Sequence, residues 1–153
     1  MLLTGTFVRT VDEKLRVAIP KSLKAALEEA GKGTLYMAPG TDGSLALYTE
    51  QALSSLAARL SAASPAGQDV RAFSRMFYAR AHTVEIDSQG RVRVPPDLAQ
   101  LAGLEKEAVL IGVQDHLELW DRRRWETYLA ERQANFDQIA EAAFQPVVPA
   151  QNQ

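Results

Sequence analysis

Val11-Asp-Glu-Lys-Leu-Arg-Val-Ala-Ile-Pro20 and Ile86-Asp-Ser-Gln-Gly-Arg-Val-Arg-Val-Pro95 are two versions of one segment, 75 positions apart. Asp12 matches Asp87, Arg16 matches Arg91, Val17 matches Val92, Ile19 matches Val94 and Pro20 matches Pro95. Further on, Leu45-Ala-Leu-Tyr48 matches Leu117-Glu-Leu-Trp120 at a spacing of 72. The three missing residues can be located, because Pro20 to Gly31 is 11 steps and Pro95 to Gly103 is 8. A single deletion of about one helical turn accounts for the change of register. A chain repeated in this way must fold as two like units, and the rest is read around them.

Each copy predicts the same order of elements. A strand (Gly5–Val11, then Thr83–Ile86) runs into a tight Asp-x-x-x-Arg turn. A short β-branched strand follows, Arg16–Ile19 and Arg91–Val94. Proline then opens a helix, whose apolar face is Leu23, Ala26 and Leu27 in one copy and Leu98 and Leu101 in the other. Gly31 and Gly103 are placed to end those helices. Two strands come next, Leu35–Ala38 with Leu45–Tyr48, and Ala108–Val113 with Leu117–Trp120. An amphipathic helix closes each copy, with Leu53, Leu56, Ala57 and Leu60 in the first and Trp125, Tyr128 and Leu129 in the second. The second is expected to continue through Phe136 and Ile139.

The expected boundaries are a first repeat with its helix over 1–60, a linker and short helix over 61–80, a second repeat with its helix over 81–144, and a disordered tail over 145–153. One four-stranded unit buries too little to stand alone, so the copies are expected to pair and share one core.

Composition narrows the function. The chain has 153 residues and no cysteine, which excludes disulfides, thiolate metal sites and cysteine nucleophiles. The opening residues lack a basic region and a long apolar run, so no secretory leader is expected. Net charge is −2, which by itself counts against nucleic-acid binding. The distribution is uneven: residues 1–26 carry Arg9, Lys14, Arg16, Lys21 and Lys24 against Asp12 and Glu13, while residues 126–153 carry Arg132 against four acids. A local field can draw in phosphate where the total cannot.

The doubled Asp-x-x-x-Arg turn, each followed by Val-x-Val/Ile-Pro, resembles the AbrB-like (SpoVT-AbrB) fold. Two copies over about residues 1–144, with an apolar-Leu-Tyr/Trp strand before each long helix, are similar to the MraZ family. That resemblance implies an α+β, β-rich fold, in which two swapped-hairpin repeats form one double-split β-barrel with helices outside. It also implies a cytoplasmic, nucleoid-associated transcriptional regulator without a cofactor. Such a regulator binds direct repeats in double-stranded promoter DNA upstream of the division and cell-wall genes, as a closed homo-oligomeric ring. The turn arginines, Arg16 and Arg91 here, are implicated in DNA contact. The family turn is usually Asp-x-x-Gly-Arg; Gly90 fits it, but Leu15 stands in the first copy. If that position needs a positive φ, leucine is strained there by roughly 1–2 kcal/mol. Either the first turn then has another shape, or Arg16 is aimed differently.

Asp12, Asp87 and Gly90 are read as structural parts of the turns, since a carboxylate repels phosphate and suits turn capping. Arg16 and Arg91 are read as DNA contacts, with Arg9, Lys14, Lys21, Lys24 and Arg93 either further phosphate contacts or solvated surface. Arg122-Arg-Arg124 is expected to meet the acidic C-terminal helix of another subunit. The aromatics Phe73, Phe77, Tyr48, Trp120, Trp125 and Tyr128 read as core or interface packing. His82 and His116 show no supporting carboxylate pattern, which argues against a metal or catalytic role. The sequence holds no phosphate-binding glycine loop and no nucleophile elbow, so an enzyme is not expected. The alternative is an AbrB-type antitoxin that neutralises a protein partner.

Overall fold

The computed structural model describes residues 1–31, 34–63 and 67–146. Part of the expected linker (64–66) and most of the expected disordered tail (147–153) lie outside the described residues. The elements are β1 (Thr6–Thr10), β2 (Arg16–Ala18), α1 (Lys21–Gly31), β3 (Leu35–Pro39), β4 (Leu45–Thr49) and α2 (Glu50–Ala62). After them come α3 (Gln68–Arg80), β5 (His82–Val84), β6 (Arg91–Arg93), α4 (Pro96–Leu101), β7 (Glu107–Val113) and β8 (His116–Asp121), then α5 (Arg122–Gln133) and α6 (Phe136–Ala143). Met1–Arg122 forms one compact unit and the chain from Arg123 a second.

The first unit is α+β, with a six-stranded sheet in the order β1-β7-β8-β4-β3-β5 and a separate two-stranded ribbon, β2-β6. Every pairing is antiparallel. The copies interleave rather than sit side by side. β1 of the first copy pairs with β7 of the second, and β5 of the second pairs with β3 of the first. In the ribbon Val17 lies opposite Val92, and in the sheet Ala46 lies opposite Glu118. These are the residues that the repeat makes equivalent, so both ladders are centred on one pseudo-two-fold axis.

Alternation along the ribbon sends Val17 and Val92 inward, where both are buried, and leaves residues 16, 18, 91 and 93 on the outer face. The two valines join Leu45, Leu47, Leu110, Leu117 and Leu119 of the sheet and Leu23, Leu27 and Leu98 of α1 and α4 in one hydrophobic core. The shared core expected from the repeat is therefore present. Its contacts come from strands distant in sequence, which is why neither copy could build it alone.

Several local expectations need correction. The prolines precede their helices by one position: Pro20 and Pro95 give their carbonyls to Lys24 and Ala99, and Pro96 takes the first helical place. Gly31 is the last residue of α1 rather than a cap beyond it, whereas Gly103 does follow α4 with φ +62°. Leu101 is exposed, because six-residue α4 turns only Leu98 and Ala99 into the core. The long second helix is two, broken at Ala134–Asn135, where Asn135 leaves helical geometry at φ −110°. Ile86 pairs with Val92 only as an isolated bridge, beyond the end of β5.

Candidate nucleic-acid interface

The two turns leading into the ribbon have the same hydrogen bonds. Asp12 Oδ1 accepts from the backbone N–H groups of Lys14 (2.9 Å) and Arg16 (2.8 Å), and Asp87 Oδ1 accepts from those of Gln89 and Arg91 (both 2.9 Å). The Leu15 N–H donates to the Asp12 carbonyl and the Gly90 N–H to the Asp87 carbonyl, both at 3.0 Å. These bonds hold both carboxyls below the usual aspartate range; the backbone N–H of the arginine contributes most in each turn. The aspartates thus build the turns, which is a structural role.

Leu15 has φ +60° and Gly90 has φ +79°. Neither outcome left open by the sequence occurs: the turn keeps its shape with leucine in the left-handed region, and Arg16 pairs with its aspartate through Nε as Arg91 does. Its side chain is half-buried and packs against the core, so part of the strain is offset by burial.

Each arginine returns to its own aspartate through Nε: Arg16 to Asp12 Oδ2 at 2.6 Å, and Arg91 to Asp87 Oδ2 at 3.1 Å. Arg91 Nη1 also reaches Asp12 Oδ2, at 4.0 Å. The two guanidinium groups therefore converge on the Asp12 carboxylate, with both side chains part-exposed (31% and 27%). Arg93 is exposed on the same outer face, directly opposite Arg16. Arg16, Arg91 and Arg93 thus share one surface.

The other basic residues surround it. Lys14 is exposed at the tip of the first turn, and Lys21 is exposed at the start of α1, three residues beyond the ribbon. Arg9 lies on β1, where its Nε donates to the Ala18 carbonyl at 3.1 Å and its guanidinium stands 5.8 Å from the Phe7 ring. Arg9 thereby braces the sheet edge against the ribbon, a use that sequence spacing does not reveal.

Two readings outside this surface change. Arg122 bonds Glu107 of β7 at 2.7 Å, so it has a partner within its own chain rather than needing another subunit's helix. Both histidines do have carboxylates. His82 Nε2 lies 3.2 Å from Asp97, and His116 lies between Asp115 (2.8 Å) and Glu118 (3.6 Å) while stacking on Tyr48. The hydrogen bond to Glu118 is the largest influence raising His116 above its ordinary value, with Asp115 adding to it. Burial pushes Glu118 up, but bonds from His116 and Trp120 outweigh it and hold that carboxyl low. The signal was present in the sequence: His116, Glu118 and Trp120 alternate along β8 and so share one face.

Of the aromatics expected to pack, Phe77 and Trp120 are buried, while Phe73 is 41% exposed on α3. Trp125 and Tyr128 stack within α5, and Arg132 lies over the Tyr128 ring. Among the described residues no helix is long and apolar enough to cross a membrane.

Comparison with known proteins gives the family. Residues 77–147 match the family model for the MraZ protein, whose description adds "antitoxin-like". A protein of Acetivibrio thermocellus named "Transcriptional regulator MraZ" is 38% identical over 90% of this chain and 93% of its own length. One of the same name from Thermomicrobium roseum is 40% identical over 79% of this chain and 82% of its own. One from Mesoplasma florum is 30% identical over 95% and 97%. The chain belongs to the MraZ family. The MraZ relatives are named for regulation of transcription, not for an enzymatic reaction. The family model covers the second repeat, while the alignments with whole MraZ chains span both.

Proposed function

We propose that this chain is a sequence-specific DNA-binding transcriptional regulator that contacts duplex DNA with the outer face of the β2–β6 ribbon. The observation that carries the reading is the cluster of Arg16, Arg91 and Arg93 on that face, with Arg16 directly opposite Arg93. Arg16 and Arg91 each bond their own aspartate through Nε, which leaves the outer N–H groups of each guanidinium to fork onto a phosphate or a guanine edge. A two-stranded ribbon also fits the major groove, which is about 12 Å wide. Lys14 and Lys21 flank the face and add phosphate contacts, and Arg9 supports it from β1. On this reading the sheet and ribbon are the two parts of a double-split barrel. The repeats run over 1–60 and 81–144, with 61–80 between them and 145–153 as a disordered tail.

The finer assignment follows the family. The chain represses the division and cell-wall gene cluster by binding promoter direct repeats as a homo-oligomeric ring, in the cytoplasm and on the nucleoid. Self-association is supported by α6, where Phe136 and Ile139 are exposed at helical spacing, with Phe144 exposed just beyond its end. In a ring, many copies of the same weak contact act together.

The test is binding to direct-repeat promoter DNA across a salt titration. A complex anchored on phosphates weakens steeply as salt rises. Arg16→Ala combined with Arg91→Ala abolishes specific binding. Retention of full affinity by that double variant places the interface elsewhere.

A further inference from the structure

The backbone at the two ends of the β2–β6 ribbon is nearly two-fold symmetric. The Val94 N–H donates to the Leu15 carbonyl at one end and the Ile19 N–H to the Gly90 carbonyl at the other, both at 2.8 Å. The turns share their hydrogen bonds and their left-handed residue. The side chains at the tips do not share their chemistry. Glu13-Lys14-Leu15 stands at one tip and Ser88-Gln89-Gly90 at the other. Glu13, Lys14, Ser88 and Gln89 are all exposed.

We propose, on the DNA-binding reading above, that the ribbon reads DNA in one direction. The Ser88–Gly90 tip reads base edges and the Glu13–Leu15 tip sits against the sugar-phosphate backbone. Lys14 attracts a phosphate, while the adjacent Glu13 carboxylate repels the next one, so this tip anchors without entering deeply. Ser88 and Gln89 are neutral and offer both donors and acceptors. A carboxamide suits the two-pronged edge of adenine. Gly90 allows close approach: a Cβ built there would meet nothing nearer than the Ile19 carbonyl oxygen, at 4.0 Å. Leu15 instead packs its side chain against the core. The charge on the outer face is lopsided in the same sense, since Arg93 lies opposite Arg16 whereas Ala18 lies opposite Arg91. Two identical tips on a two-fold backbone would suit a palindrome; two different tips suit an element with a direction.

The absence of cysteine supplies a clean test. Glu13→Cys and Ser88→Cys each create a single thiol, to which an iron–EDTA cleavage reagent is attached. Each labelled protein is bound to an end-labelled duplex carrying one promoter repeat, with the repeat inserted in either orientation. The expected result is cleavage on one flank for each variant, on opposite flanks for the two, exchanged when the repeat is inverted. Retardation of the duplex with equal cleavage on both flanks by both variants overturns the directional reading and leaves DNA binding standing. Neither retardation nor site-directed cleavage overturns both. A second measurement separates the roles of the tips. Gln89→Ala lowers discrimination at one base position by about tenfold and leaves the salt slope unchanged. Lys14→Ala weakens all sequences alike and reduces the slope by about one. Uniform weakening by Gln89→Ala removes Gln89 as the base reader.

Discussion

Replacing Gly90 with alanine isolates the backbone cost of the second turn. The residue has φ +79°, and the added Cβ lies 4.0 Å from the Ile19 carbonyl oxygen, an ordinary contact, so no clash enters. Holding an L-residue in this region costs about 1–2 kcal/mol. Alanine recovers about 0.4–1 kcal/mol by restricting the unfolded chain. The net loss is about 1 kcal/mol, equivalent to a fall of about 2–4 °C in Tm for a chain of this size. Urea unfolding followed by tryptophan fluorescence, with Trp120 buried, reads this as a lower midpoint at unchanged slope. Gly90→Asn loses less than Gly90→Ala, since asparagine supports the left-handed region locally. The companion variant Leu15→Gly releases about 1–2 kcal/mol of strain. It gives up about 1 kcal/mol of half-burial and about 0.4–1 kcal/mol of chain entropy. It therefore stays within about 1 kcal/mol of the parent. Gly90→Ala proteins as stable as the parent, or asparagine variants weaker than alanine ones, would refute the reasoning.

Other outcomes follow from the charges and the apolar surface. Asp12 and Asp87 have depressed folded-state pKa values, so their contribution is complete above the ordinary aspartate range and is lost as pH falls through the folded values. Asp12→Asn with Asp87→Asn flattens the acid limb of a stability–pH profile. His116 is raised, so its contribution is complete below the ordinary histidine value and is lost as pH rises through the folded value. A proton NMR titration shows the elevated midpoint, and Glu118→Gln moves it back down. Phe136→Ser with Ile139→Ser on α6 gives a smaller species in sedimentation velocity with unchanged circular dichroism.

The local parts of this structure were readable, and the long-range parts were not. Asp12 and Asp87 could be assigned as turn builders because their partners are two and four residues away. The conformation of Leu15 was not fixed by its residue type, since leucine disfavours a positive φ and only burial and the ladder hold it there. The repeat implied a shared core, but the exchange of β1 and β5 between copies depends on hydrogen bonds over long sequence separations, and no short window carries that information. Arg9 could be recognised as basic but not as a brace, because its acceptor is the Ala18 main chain, whose carbonyl says nothing about residue type. The carboxylates of His116 are, by contrast, one and two residues away, and the strand's period of two puts Glu118 on the same face, so this cluster was legible in the sequence.

The pairing of Val17 with Val92 has a consequence for folding at low protein concentration. Had the two halves been separate chains, their common core would assemble only above a dissociation constant, and dilution would unfold them. Joined in one chain, each half meets the other at a fixed effective concentration, whatever the number of molecules present. Folding of the core is then independent of the protein's concentration.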